Sequence, residues 1–168
     1  METKLNRDEW LEAAMLRWEV PLLRTCFLLL RDRSLAEDAV QQTFLKAWRG
    51  YDSFRGDSSE KTWLSRIAVH TCRDIQREKW FRRIDLSVGM EELPEPAEGF
   101  REPDDTVTRA ILALPDQIRR AVALHYYQGL TVQETAQALG ISRRTAHYRL
   151  EKAYRLLKEG LEGWYHDA

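Results

Sequence analysis

Cysteine is scarce in this chain. There are two, Cys26 and Cys72, among 168 residues, and no CxxC pair. That spacing excludes a disulfide framework and a cysteine-built zinc site. No apolar run approaches the ~20 residues that a membrane helix needs; the longest, Cys26 to Leu30, falls far short. The opening METKLNRDEW has no apolar stretch of the signal-peptide kind. The expectation is a soluble, reduced, cytoplasmic protein with no membrane insertion of its own. Strand-like alternation is missing, and so are Asn-Gly and Asp-Gly hairpin turns. Catalytic signatures are missing too: no Gly-rich phosphate loop, no HExxH, no GxSxG and no Gly-x-Gly-x-x-Gly. The histidines, His70, His125, His147 and His166, are scattered. His70 and Cys72 are two apart, about 200° around a helix, which is poor for joint metal ligation. The chain is therefore expected to be no enzyme, with no metal and no cofactor.

An excess of either charge is also missing. With 26 basic and 27 acidic residues the net charge is −1, which on average argues against a nucleic-acid binder. The average conceals segregation. From Asp85 to Asp105 only Arg101 opposes eight acidic residues, a net −7, with Pro94, Pro96 and Pro103 among them. Such a segment buries too little apolar surface to fold alone and reads as a flexible acidic linker. Residues Leu35 to Ile84 carry a net +3 and Arg109 to Gly160 a net +5. The chain is thus two basic modules and an acidic tether. The boundaries are 1–84, 85–105 and 106–168, with no internal repeat.

Both modules read as helical, so the fold class is all-α. Trp10, Ala14, Trp18, Leu22, Cys26 and Leu29 recur at steps of three and four over Arg7 to Arg31. Pro21 marks either a break or the start of a second helix there. Ser34-Leu-Ala-Glu37 has the form of a capping box for the next helix. That helix puts Ala36, Val40, Phe44 and Ala47 on one side, and Asp38, Gln41, Gln42, Leu45 and Arg49 on the other, with Gly50 as a stop. After the loop Tyr51 to Asp57, a further helix starts near Ser59 and runs toward Arg83. In the second module a helix ends at Pro115, and Asp116 to Gln128 forms the next, closed by Gly129. Thr131-Val-Gln-Glu134 is a second capping box. Thr131 to Leu139, Gly140-Ile-Ser142 and Arg143 to Leu157 then make a helix–turn–helix pattern, in which Ala136 allows close packing and Ser142 caps the last helix.

That last helix carries the strongest chemical signal. Arg143, Arg144, Thr145, His147, Tyr148, Arg149 and Lys152 lie in its first three turns. A helix of this kind fits the major groove, where arginine can contact guanine in a bidentate manner and other cations hold phosphates. The helix after Ser59 gives the second signal. It interleaves Trp63, Trp80 and Phe81 with Arg66, His70, Arg73 and Arg77. Aromatics beside cations suit unpaired bases and their backbone. Trp63 fits a core position equally well.

The stretches LAEDAVQQTFLKAWRGYDSFRGDSSEKTWLSRIAVHTCRDIQREK and AILALPDQIRRAVALHYYQGLTVQETAQALGISRRTAHYRLEKAYRLLKEGL resemble regions two and four of extracytoplasmic-function sigma factors, group four of the sigma-70 family. The resemblance covers over half the chain. It implies an initiation subunit of bacterial RNA polymerase, which binds the clamp helices of the largest subunit and the flap. Polymerase contact then falls on Asp38, Gln41, Gln42, Phe44, Leu45 and Trp48. Opening and reading of the −10 element falls on Phe54, Arg55, Asp57, Trp63, Arg66, His70, Arg73, Arg77 and Trp80, through an extruded base and without nucleotide hydrolysis. Reading of the −35 duplex falls on Arg143, Arg144, Thr145, His147, Tyr148, Arg149 and Lys152. The resemblance also implies an anti-sigma partner, and a linker lying in the polymerase cleft as an imitation of nucleic acid. A tether of 21 residues spans about 25 Å as a coil, less than the ~34 Å of one DNA turn. Ser65, His70, Arg144, Ala146, His147 and Tyr148 depart from the family's usual residues, which bears on the promoter sequence. His147 suggests mild pH sensitivity. The rival expectation is a dimeric helix–turn–helix regulator reading palindromic sites.

Overall fold

The computed structural model describes residues 5–85 and 105–167. These form α1 (Arg7–Leu30), α2 (Arg33–Arg49), a 3₁₀ turn (Tyr51–Ser53), α3 (Glu60–Asp85), α4 (Asp105–Leu112), α5 (Asp116–Val122) continued by a π turn (Ala123–Tyr127), α6 (Val132–Leu139) and α7 (Arg143–Asp167). No strand occurs among the described residues, as expected from the missing alternation. The acidic segment 86–104 lies outside them.

Local signals act mostly where the sequence puts them. Asn6 caps α1 by accepting from Glu9, and Thr131 and Glu134 form the expected reciprocal box. Ser59 and Ser142 accept from the amides of Thr62 and Thr145. Gly140 turns between α6 and α7 at φ 67°, a left-handed conformation that glycine adopts without steric cost. Two expectations need correction. α1 is one helix, with Pro21 inside it. The cap of α2 is Asp32, which accepts from Leu35, and not Ser34. Asp32 stands two residues earlier, and Glu37 pairs with Arg33 instead.

Helices α1, α2 and α3 bury Ala14, Leu22, Cys26, Leu29, Val40, Phe44, Leu64 and Ala68. Helices α4 to α7 bury Ile111, Ile118, Val122, Leu139, Leu150 and Ala153. The two sets pack together. Inside that seam Thr25 donates to Gln128 (3.1 Å). Lys61 donates to the Gly129 carbonyl (3.0 Å) and Arg73 to that of Leu139 (3.4 Å).

The seam also finishes α1. The last four carbonyls of a helix have no partner within it. Here the Phe27 carbonyl takes the Arg31 amide. The Leu28 carbonyl takes Arg119 Nε (2.7 Å), and the Leu29 carbonyl takes Gln76 Nε2 (3.0 Å). Gln76 in turn accepts from Arg120 (2.8 Å), and Asp116 pairs with both Arg119 and Arg120 (2.9 Å each). Side chains from α3 and α5 thus close the end of a helix in the first module.

Candidate nucleic-acid and polymerase interface

Three surfaces hold the residues singled out above. On α2, Asp38, Gln41, Gln42 and Leu45 share the exposed side. Phe44 does not join them. It is 4% exposed and packs into the core, because it falls on the same side of the helix as Val40 and Ala47. Trp48 is half-buried; its indole donates to Asp8 (2.8 Å), and the Arg7 guanidinium lies over its ring.

The second surface joins the loop before α3 to α3 itself. Phe54 and Trp63 stack on each other with ring centroids 4.5 Å apart, and Trp63 also meets Trp10 at 5.9 Å. Arg55 and Asp57 are exposed around Gly56, which has φ 76°. Beneath this aromatic group Glu60 accepts from the indoles of Trp10 (2.9 Å) and Trp18 (2.7 Å) and from Arg17 (3.2 Å). The sequence pattern did not reveal that hub, because its partners lie more than 40 positions away. Further along α3, Arg66, His70 and Arg77 are exposed, and so is Trp80, set edge-on to Phe81. Arg73 is half-buried against α6.

The cations on α3 repel a further proton. Burial, then Arg73 and Arg66, hold His70 below the usual histidine range. His70 is therefore neutral at pH 7. Unfolded histidine takes up a proton near pH 6.5 while the folded one resists, so this residue's contribution to stability declines as pH falls below about 6.5. The His70→Gln variant is expected to show a flatter acid-side decline between about pH 6.5 and 5, measured by thermal melting. An unchanged profile contradicts the assignment.

The third surface is the start of α7. Arg143, Arg144, His147 and Tyr148 are exposed, whereas Thr145, Arg149 and Lys152 are half-buried. His147 Nε2 lies 3.1 Å from Glu151, and Arg149 donates to Gln117 (3.1 Å). Beside them an open groove of about 600 Å³ is lined by His125, Tyr126, Tyr154 and Arg155 among others. The sequence reading passed over that groove, since its lining joins His125 and Tyr126 of the π turn to Tyr154 and Arg155 of α7, which no helical periodicity brings together. No group of three or more potential metal ligands occurs among the described residues. No helix among them is long and apolar enough to cross a membrane.

Comparison with known proteins adds the family. Residues 15–82 match Sigma-70 region 2, and residues 104–157 match Sigma-70, region 4. The RNA polymerase sigma-H factor of Pseudomonas aeruginosa is 28% identical over 162 residues, covering 88% of this chain and 84% of that one. The RNA polymerase sigma factor YlaC of Bacillus subtilis is 33% identical over 135 residues, covering 75% and 77%. Among solved structures, the sigma factor RpoE in complex with the anti-sigma factor NepR from Bartonella quintana superposes with a TM-score of 0.76. It is 26% identical, and the match covers 90% of this chain and 96% of that one. With both regions present in order on one chain, the protein belongs to the extracytoplasmic-function sigma factors of the sigma-70 family, the RNA polymerase subunits that direct promoter-specific transcription.

Proposed function

We propose that residues 1–84 bind core polymerase and the −10 element, that 85–105 tether, and that 106–168 read the −35 element. The observation that carries this is the separation of surfaces. A polar outer side of α2 (Asp38, Gln41, Gln42, Leu45) stands apart from the basic side of α3 and from the basic start of α7. The α2 side suits the clamp helices of the largest polymerase subunit; Trp48 borders it, and Phe44 supports it from inside. Phe54 and Trp63 form an aromatic floor at which an extruded base can stack, flanked by Arg55 and Asp57. Arg66, His70, Arg73, Arg77 and Trp80 extend that track along α3. Arg143, Arg144, Thr145, His147, Tyr148, Arg149 and Lys152 address the −35 duplex. Eight of these side chains carry positive charge toward phosphate or base edges: Arg55, Arg66, Arg73, Arg77, Arg143, Arg144, Arg149 and Lys152.

The chain supplies no catalysis in this reading. It acts in the cytoplasm as a binding subunit, and melting is driven by affinity for the single strand. Linking two weak DNA contacts on one polymerase raises their joint affinity through effective concentration. An anti-sigma factor is the natural inhibitor, as in the NepR complex of the similar RpoE, and the polymerase flap is a further contact for the second module.

Run-off transcription with purified bacterial core polymerase, with and without this chain, tests the reading. Promoter-specific transcripts are expected only when the chain is added. If it neither binds core nor yields a specific transcript on any candidate promoter, the reading is wrong. Within it, Arg144→Ala is expected to weaken −35 binding about tenfold and to lower the slope of log affinity against log salt by about one. Identical affinity across the salt series removes Arg144 from the interface.

A further inference from the structure

The seam between the modules gathers arginines as well as apolar sides. Arg73 of α3 donates to the Leu139 carbonyl (3.4 Å). Three positions on, Gln76 accepts from Arg120 of α5 (2.8 Å). Gln117, three positions before Arg120, accepts from Arg149 of α7 (3.1 Å). These bonds draw guanidiniums from three helices toward one spot. Arg73 and Arg149 are half-buried, and the Arg120 side chain is 15% exposed.

Their charges are poorly balanced there. Burial, then Arg120 and Arg149, push the Arg73 pKa down, and Asp116 opposes them. That carboxylate is already shared between Arg119 and Arg120 (2.9 Å each). Arg73 and Arg149 hold a carbonyl and an amide oxygen, which are neutral acceptors. Like charges repel more strongly where water is partly excluded, and an anion in their midst removes that repulsion. A guanidinium carries five N–H donors. The contacts above use one on Arg73, one on Arg149 and two on Arg120. Each therefore keeps donors for a tetrahedral oxyanion, which planar guanidiniums grip with paired hydrogen bonds.

From this we infer that Arg73, Arg120 and Arg149 form a site for a phosphate group, held from both modules at once. Bound there, the group strengthens the packed arrangement, because a ligand stabilises the state that binds it. It also withholds Arg73 and Arg149 from DNA. That consequence rests on the proposed function; the site itself does not, and a failed run-off assay leaves it standing.

Titration of the full chain with inorganic phosphate tests the site, from about 0.1 to about 50 mM at an ionic strength kept constant with chloride. A nucleoside diphosphate is titrated in parallel, since the same group can come free or on a nucleotide; the tighter binder names the source. Calorimetry is expected to show saturable binding of one ligand per chain, with a thermal midpoint that rises as the site fills. Phosphate also stabilises proteins in general as an excluded solute, an effect that native chain and variants share, so their difference reports the site. Arg73→Gln, Arg120→Gln and Arg149→Gln are each expected to weaken binding at least tenfold. Arg155→Gln, an exposed change elsewhere on α7, removes the same charge and is expected to bind as the native chain does. Arg149→Gln keeps the test open if Arg120→Gln does not fold. No saturable binding of either probe overturns the inference, as does binding that survives the loss of Arg120 or Arg149. Binding unchanged in Arg73→Gln confines the anion to the second module and overturns the bridge, and with it the inference.

Discussion

Replacing Arg119 with methionine is expected to destabilise the folded chain by about 2–4 kcal/mol, because the Leu28 and Leu114 carbonyls both lose their side-chain donor. Arg119 is 5% exposed, an unusual position for a charge. It holds three acceptors at once: the Leu28 carbonyl (2.7 Å), the Leu114 carbonyl (2.9 Å) and Asp116 (2.9 Å). Burial, then Arg31, push its pKa down, and Asp116 opposes them. Methionine fills the volume but satisfies none of the acceptors. The Leu28 carbonyl then joins the unpaired end of α1, and a buried acceptor left alone costs about 1–3 kcal/mol. Lysine recovers only part of the loss, because an ammonium on a flexible stem cannot reproduce the fork that spans two carbonyls and a carboxylate. Urea unfolding followed by circular dichroism measures both variants. A loss under about 1 kcal/mol for Arg119→Met would show that the network is dispensable.

Leu45→Glu is expected to leave that stability within about 0.5 kcal/mol of the native value, because the side chain stands 46% exposed on α2 and touches no buried network. Its effect falls on binding. At the centre of a side formed by Asp38, Gln41 and Gln42, a buried carboxylate without a partner weakens affinity for core polymerase at least tenfold, which corresponds to about 1.4 kcal/mol. Losses above 2 kcal/mol are usual for an anchor at the middle of an interface. Fluorescence anisotropy with labelled chain and purified core polymerase reads it, and run-off transcription should fall in parallel. Native affinity in the variant would move the polymerase contact off this side of α2.

Much of this molecule is written in local pattern. Helical periodicity placed the buried sides of α1 and α2. The Thr131 box, the Gly140 turn and the Ser142 cap were legible because each depends on residues within four positions of one another. The exposed quartet on α2 and the basic start of α7 were legible for the same reason, since helical spacing alone decides which residues share a side. Phe44 entered the polymerase set through the family motif, while its spacing with Val40 and Ala47 already pointed inward, where it is buried.

What the sequence determined by itself is the helical class, the segregation of charge into two basic modules and an acidic tether, and the family that those motifs mark. Tertiary structure decided the rest. Glu60 gathers two indoles and an arginine from α1, and Arg119 and Gln76 cap a helix that has no basic residue in its own last turn. Arg73, proposed for the DNA track on α3, also reaches the Leu139 carbonyl across the seam. These partners are 42 to 91 positions apart in the chain. No periodicity encodes such a distance. Those contacts form only when packing of the apolar sides brings α1, α3 and α5 within hydrogen-bond reach.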